Sequence, residues 1–168
     1  MSVGSVLLFA YGNLSRGDDA VAPLLLESIQ NNAQVDLKKT AILSDYQLQI
    51  EHALDLEQRK LVLFADASVS CKGAFELTEV RADRNSSHLT HAMSPAALLQ
   101  VFQAIYKKAP PPCFLLSIKA EQFELGQPLS QDAEKNLRLS CQFAERLLNK
   151  PVLQYWRKFT DNARNIAA

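Results

Sequence analysis

The sequence predicts an α/β domain: a three-layer sandwich in which a mostly parallel, twisted sheet of about five strands carries helices on both faces. Three observations predict it. Short β-rich runs alternate with longer stretches of helical periodicity in the order βαβαββαβα, the pattern of strands joined by crossover helices. Behind Lys60 the run Leu61-Val62-Leu63-Phe64-Ala65 is continuously apolar rather than alternating, which marks a strand buried on both faces. The chain of 168 residues has the size of one ordinary domain with a substantial core.

Taken in order, the first strand is expected at about 5–10 and the first helix at about 19–31, where Val21, Leu24, Leu25 and Ile29 form an apolar stripe. Pro23 falls in that helix's first turn, where a missing N–H costs little. A second strand lies within 35–43 and a second helix spans about 47–56, after Ser44-Asp45. The third strand is the apolar run closed by Asp66, and 75–80 follows as an edge strand after the short Lys72-Gly73 connection. Ser94 caps a helix over 94–106 with Pro95 at its first position. Pro110-Pro111-Pro112 breaks the chain before a strand at 113–118, and an amphipathic helix over about 130–148, capped by Ser130, closes the pattern. Residues 1–150 read as a single domain. The tail 151–168, with Tyr155, Trp156 and Phe159 before polar residues, reads as a docked terminal helix or a partly disordered end.

Composition removes several classes of function. Lys plus Arg and Asp plus Glu both number 18, so the formal charge is zero and nothing favours nucleic acid or an anionic membrane surface. No apolar run approaches the roughly 20 residues of a bilayer span, and the first apolar run lacks a preceding basic residue and is too short for a signal peptide. The expected location is the cytoplasm. Cys71, Cys113 and Cys141 are scattered without a CxxC pair. Cys113 and Cys141 sit in apolar contexts that suit reduced, buried thiols.

The chemistry-bearing residues fall at the C-terminal ends of expected strands, where open α/β sheets bind ligands. They are Asp18-Asp19 behind the first strand, Asp66 at the end of the third, and His91 before the helix at Ser94. Two carboxylates and an imidazole form a donor set for a divalent first-row metal with open positions for water or substrate. Each also has a plainer role: Asp66 capping a turn, His91 opening a helix, Asp18 as a helix N-cap with Asp19 against the dipole. H-E-x-x-H, G-x-S-x-G, P-loop and G-x-G-x-x-G patterns are all missing. Cys113, inside a strand, is a poor nucleophile.

At these residues the chain resembles the hydrogenase maturation endopeptidases, which trim the C-terminus of the [NiFe]-hydrogenase large-subunit precursor. Gly12-Asn13-x-x-x-Gly17-Asp18-Asp19 is similar to the family's opening Gly-Asn-x-Leu-x-x-Asp-Asp/Glu signature, and Leu61 to Ala67 to its strand bearing a second acid. His91 stands where the family's histidine precedes a helix, here with Leu98-Leu99. Ser117 to Ser130 resembles the segment I-x-P-E-x-F-E-x-G-x-x-L-S. The four blocks occur in the family's order over about the first 150 residues.

The resemblance implies a nickel-recognising endopeptidase with Asp19, Asp66 and His91 as metal ligands and catalytic residues, and with Gly12, Asn13 and Asp18 in support. Asp18 would act as helix cap or as a partner orienting Asp19, and His88 is the rival of His91. Nickel would arrive with the precursor, so that only a correctly metallated substrate completes the site before an irreversible cut. Zinc or another divalent metal would be accepted in vitro. Hydrolysis through activated water and through a polarised carbonyl both stay open, as does a non-catalytic nickel- or large-subunit-binding chaperone. Two departures stand out. Ser44-Asp45-Tyr46-Gln47-Leu48 replaces the family's frequent Asp-Gly-Gly-Thr, so substrate contacts there should differ, and Lys119-Ala120 replaces the usual proline before Glu121.

Overall fold

A computed structural model describes residues 4–83 and 93–160. Five strands form one sheet: β1 (Val6–Tyr11), β2 (Thr40–Asp45), β3 (Leu61–Ser68), β4 (Phe75–Val80) and β5 (Cys113–Lys119). Their spatial order is β2-β1-β3-β5-β4. β1 pairs in parallel with β2 and β3, and β3 in parallel with β5. β4 runs antiparallel to β5 at one edge, the position expected of a strand reached by a short connection.

Alternate residues of the central strands feed two separate cores, as the two-residue period of a strand requires. Val6, Leu8 and Ala10 of β1, with Leu63, Ala65, Phe114 and Leu116, pack beneath α1 (Val21–Gln30), α3 (Gln131–Asn149) and the short α4 (Leu153–Arg157). Leu7, Phe9 and Tyr11, with Val62, Phe64 and Cys113, pack beneath α2 (Pro95–Tyr106) and a 3₁₀ helix at Ile50–Leu56. This is the expected three-layer sandwich. Ser94 and Ser130 cap α2 and α3, each accepting a hydrogen bond from the N–H three residues on.

Three elements differ from the sequence expectation. The second helix is the 3₁₀ segment, shorter than 47–56; Ala53 and Leu56, three apart, are both fully buried, the spacing that a three-residue turn aligns. β2 begins at Thr40, because Val35 packs into the core from a loop. That loop is tied to the end of α3: Asp36 N–H donates to Asn149 Oδ1 and Asn149 Nδ2 to the Gln34 carbonyl. Ahead of α1, Gly17–Ala20 forms a 3₁₀ turn, so the α-helix proper starts at Val21.

None of the three cysteines is in a disulfide; Cys113 is fully buried, and burial pushes its thiol far up, while Cys141 is only partly buried. α4 closes one core: Trp156 is fully buried, and its indole N–H donates to the Leu147 and Lys150 carbonyls. Among the described residues no helix is long and apolar enough to cross a membrane.

Candidate active site

The loop leaving β1 is built around Gly12. Its N–H donates to the Asp45 carbonyl at 3.1 Å, and its φ is +155°. A Cβ there would lie 2.2 Å from the Asp19 carbonyl oxygen, so only glycine lets the chain turn back this closely. Asn13 then donates its N–H to Asp19 Oδ2 at 2.7 Å, while its side-chain oxygen accepts from the Ser15 N–H at 2.8 Å. The Asn13 side chain thus shapes the turn and its backbone holds the Asp19 carboxylate.

Asp18 points the other way. It is fully buried. Its Oδ2 accepts the N–H groups of Glu121 and Gln122 and the Ser130 hydroxyl, and its Oδ1 accepts the Ser130 N–H, all at 2.8–3.0 Å. Burial pushes this carboxyl up, but the four hydrogen bonds outweigh it and hold it below the usual range. Gly17 N–H donates to the Gln127 carbonyl, Asp18 N–H to that of Gln122, and Gly126 N–H to that of Ser15. The expectation for Asp18 is therefore corrected in part: the 3₁₀ turn has Arg16 at its cap position with no side-chain cap bond. Asp18 instead fastens the 120–130 segment across the loop after β1.

Asp66 lies inside β3, in register with Ser117 of β5, rather than closing the strand, and it is partly buried. Its carboxyl is pushed up to about 7, first by burial and then by the Asp19 carboxylate. The Ala67 N–H and the Tyr11 hydroxyl pull the other way. Tyr11 is itself held well above the ordinary phenol range by burial and by the charge of Asp66, so it stays a proton donor. Asp19 thus lies near enough to Asp66 for its charge to be felt, and two neighbouring carboxylates are donors of the kind a divalent cation takes.

The fold brings together Asp19 and Asp66, with Gly12, Asn13 and Asp18 shaping the loop around them. His91 and its rival His88 lie outside the described residues, and among the described residues no group of three His, Cys, Asp or Glu side chains is assembled. Sequence reading missed Tyr11; the only signal is a polar-tipped aromatic closing an otherwise apolar strand. It also took Ser130 only as a cap. At the departure after β2, Asp45 pairs with His52 Nε2 at 3.2 Å, and His52 Nδ1 accepts the Gln49 N–H. His52 packs edge-on against Phe9, and Tyr46 stands 71% exposed.

The five-stranded α/β sandwich is a fold shared with solved hydrogenase maturation proteases. The chain superposes on a [NiFe] hydrogenase maturation protease HycI from Thermococcus kodakarensis with a TM-score of 0.68 and 16% identity, over 88% of this chain and 94% of that one. Hydrogenase maturating endopeptidase HybD from E. coli gives 0.64 and 21% identity, over 83% and 88%. A hydrogenase 2 maturation peptidase from a Thaumarchaeota archaeon gives 0.61 and 16%, over 85% and 97%. By sequence, no family model and no curated protein matches.

Proposed function

We propose that this chain is an endopeptidase of hydrogenase maturation, which recognises nickel in a [NiFe]-hydrogenase large-subunit precursor and removes the precursor's C-terminal extension. The observation that carries the reading is the pairing of Asp19 with Asp66 at the ligand-binding edge of a fold shared with such proteases. Asp19, Asp66 and His91 hold the substrate's nickel. The ion supplies Lewis-acid polarisation next to the bond to be cut.

The chain's own residues do the rest. Asn13 orients Asp19 through its N–H. Gly12 brings the backbone close enough for that bond to form. Asp66, raised toward neutrality before the ion arrives, gives up its proton as the nickel is engaged, which couples binding to deprotonation. A precursor without nickel brings nothing to hold the carboxylates together, so recognition and readiness for cleavage coincide. Exposed Tyr46, where the family carries glycine, meets a different part of the client. The site acts in the cytoplasm on a protein partner, with no nucleic acid or membrane involved.

The test is incubation of precursor, with and without nickel, followed by mass spectrometry. Loss of a C-terminal peptide from the nickel-loaded form alone is expected. Stable binding without a mass change would instead make the protein a maturation chaperone.

A further inference from the structure

Each of the four parallel strands is followed by an exposed large apolar side chain. These are Leu14 after β1, Tyr46 after β2, Val69 after β3 and Leu125 in the segment after β5, all 60–72% exposed. Parallel strands end on one side of a sheet, so the four stand at the edge that carries Asp19 and Asp66. Among the described residues, no exposed large hydrophobic lies in the loops that lead into these strands at the other edge. Single apolar residues scattered over a surface are ordinary, whereas apolar groups gathered in one place mark an interaction surface. The backbone also braces them. Tyr46 N–H donates to Asp45 Oδ1 at 2.7 Å, and the Asp45 carbonyl accepts from Gly12 in the loop that presents Asp19. Gly126 N–H donates to the Ser15 carbonyl at 2.7 Å, which joins the two turns that carry Leu125 and Leu14.

We infer that Leu14, Tyr46, Val69 and Leu125 form a docking rim, on which the precursor seats an apolar face that surrounds its nickel. The inference rests on the proposed function, because the precursor is taken there as the client. A partner whose cation reaches Asp19 and Asp66 must approach this edge, so the surface around that cation meets the rim. Charge points to the same chemistry. The exposed charges in the loops that follow the four strands are Arg16, Lys72, Glu121 and Glu124, two of each sign. They cancel, which leaves the acid pair to take the cation and apolar contact to hold the surface around it. Side chains already fixed on braced turns lose little further freedom when covered, so their burial converts efficiently into affinity. The rim thus sets which client fits, and the carboxylates read its metal.

The experiment compares wild type with Leu14→Ser, Tyr46→Ser, Val69→Ser and Leu125→Ser. Ile105→Ser is the control, since that side chain is also exposed but lies on α2. Calorimetry gives the Kd of nickel-loaded precursor and the affinity for Ni²⁺ alone; steady-state cleavage gives kcat and KM; thermal melting follows the fold. At least two rim variants are expected to raise Kd and KM by about 5–30-fold. Their kcat and Ni²⁺ affinity should stay within about twofold, the split that marks lost binding of substrate and transition state alike. I105S should match wild type throughout. Weakening in fewer than two rim variants, or an equal weakening in I105S, would overturn the rim and, with cleavage intact, leave the proposed function standing. A parallel loss of Ni²⁺ affinity would overturn it by placing these side chains in the ion site, and loss of a cooperative melt by placing them in the fold. Wild type that binds the precursor without cutting it would overturn the proposed endopeptidase, and Kd alone would then decide the rim. Wild type that does neither removes both.

Discussion

Ser130 gives Asp18 both its backbone N–H, to Oδ1 at 2.8 Å, and its hydroxyl, to Oδ2 at 2.9 Å, across 112 residues of sequence. The same hydroxyl accepts the Ala133 N–H at 3.2 Å and so starts α3. One side chain therefore caps a helix and clamps the loop that presents Asp19. Two sequence blocks, the Gly-Asn-x-x-x-Gly-Asp-Asp turn and the segment ending in Leu129-Ser130, form one structural unit at the edge of the sheet.

Replacing Asp18 with alanine should therefore cost stability first and activity as a consequence. Three backbone N–H groups and a hydroxyl lose a charged acceptor, and a loss of about 3 kcal/mol or more is expected. The folded carboxyl sits below its unfolded value, so its contribution is fully present above about pH 4 and fades as pH falls through the depressed value. Urea melts at neutral and acidic pH check both statements: D18A should lie well below wild type at pH 7, with the gap narrowing toward about pH 2.

Asp66 carries the opposite sign. Its folded carboxyl is raised to about 7, against about 3.9 unfolded. The native state thus holds a proton that the unfolded chain has lost, and this group's effect on stability worsens as pH rises between those values. Asp66→Asn should melt higher than wild type at about pH 8, by at least the roughly 2–4 °C that corresponds to 1 kcal/mol in a chain of this size, and the advantage should vanish near pH 4. Cleavage of nickel-loaded precursor by the same variant should be abolished. Calorimetry and a cleavage assay on one preparation give both readings; a variant no more stable at pH 8 would show that the carboxylate pair stores no strain.

Gly12→Ala tests the loop without touching a carboxylate. The added Cβ meets the Asp19 carbonyl oxygen at 2.2 Å in a backbone conformation that side chains rarely adopt. The turn must open, and the Asn13 N–H then loses Asp19 Oδ2. A destabilisation of about 1–3 kcal/mol is expected, together with loss of cleavage at temperatures where the chain is still folded. Folded-state activity equal to wild type would disconnect the turn from the carboxylate it holds.

Legibility in the sequence followed the physics of each element. The β1, β3 and β5 runs are buried on both faces and short, so continuous apolarity revealed them, and Ser-Pro and Ser caps marked α2 and α3. β2 was misplaced because Val35 is apolar for a reason unrelated to a ladder: it fills the core from a loop held by Asn149. The 3₁₀ segment at 50–56 shares its apolar positions with an α-helix over one or two turns, so periodicity cannot separate them. Asp19 and Asp66 stood out in the sequence as acids just behind apolar runs, although Asp66 lies inside β3 and Asp19 in the 3₁₀ turn after β1. Which way Asp18 points was not visible, because its partners at 121, 122 and 130 are adjacent only once the fold exists. Tyr11 stayed hidden for a related reason, since its closeness to Asp66 depends on a register between strands that sequence does not display.

The apparent domain boundary near residue 150 is a boundary of pattern, and α4 offers a way to measure whether it is also one of stability. Trp156 lies between the end of α3 and β5, its ring edge-on to Phe114 at 5.4 Å and its N–H shared by the Leu147 and Lys150 carbonyls. Behind it, Arg157 makes a two-pronged ion pair with Glu79 of β4, and Thr160 bridges to Leu77 of the same strand. The tail therefore covers the sheet where the antiparallel edge strand would otherwise lose its lid. Trp156→Ala should cost about 3–5 kcal/mol, the usual penalty for emptying a large buried aromatic site, and ending the chain at residue 150 should cost more, because the contacts of Leu153, Tyr155 and Phe159 go with it. The hydrogen bonds and ring contacts of Trp156, Arg157 and Thr160 go to residues other than Asp19 and Asp66, so precursor cleavage measured well below the melting temperatures of both variants should match wild type. A truncated chain as stable as the full one would make residues 1–150 a self-sufficient domain and leave the tail free for another purpose.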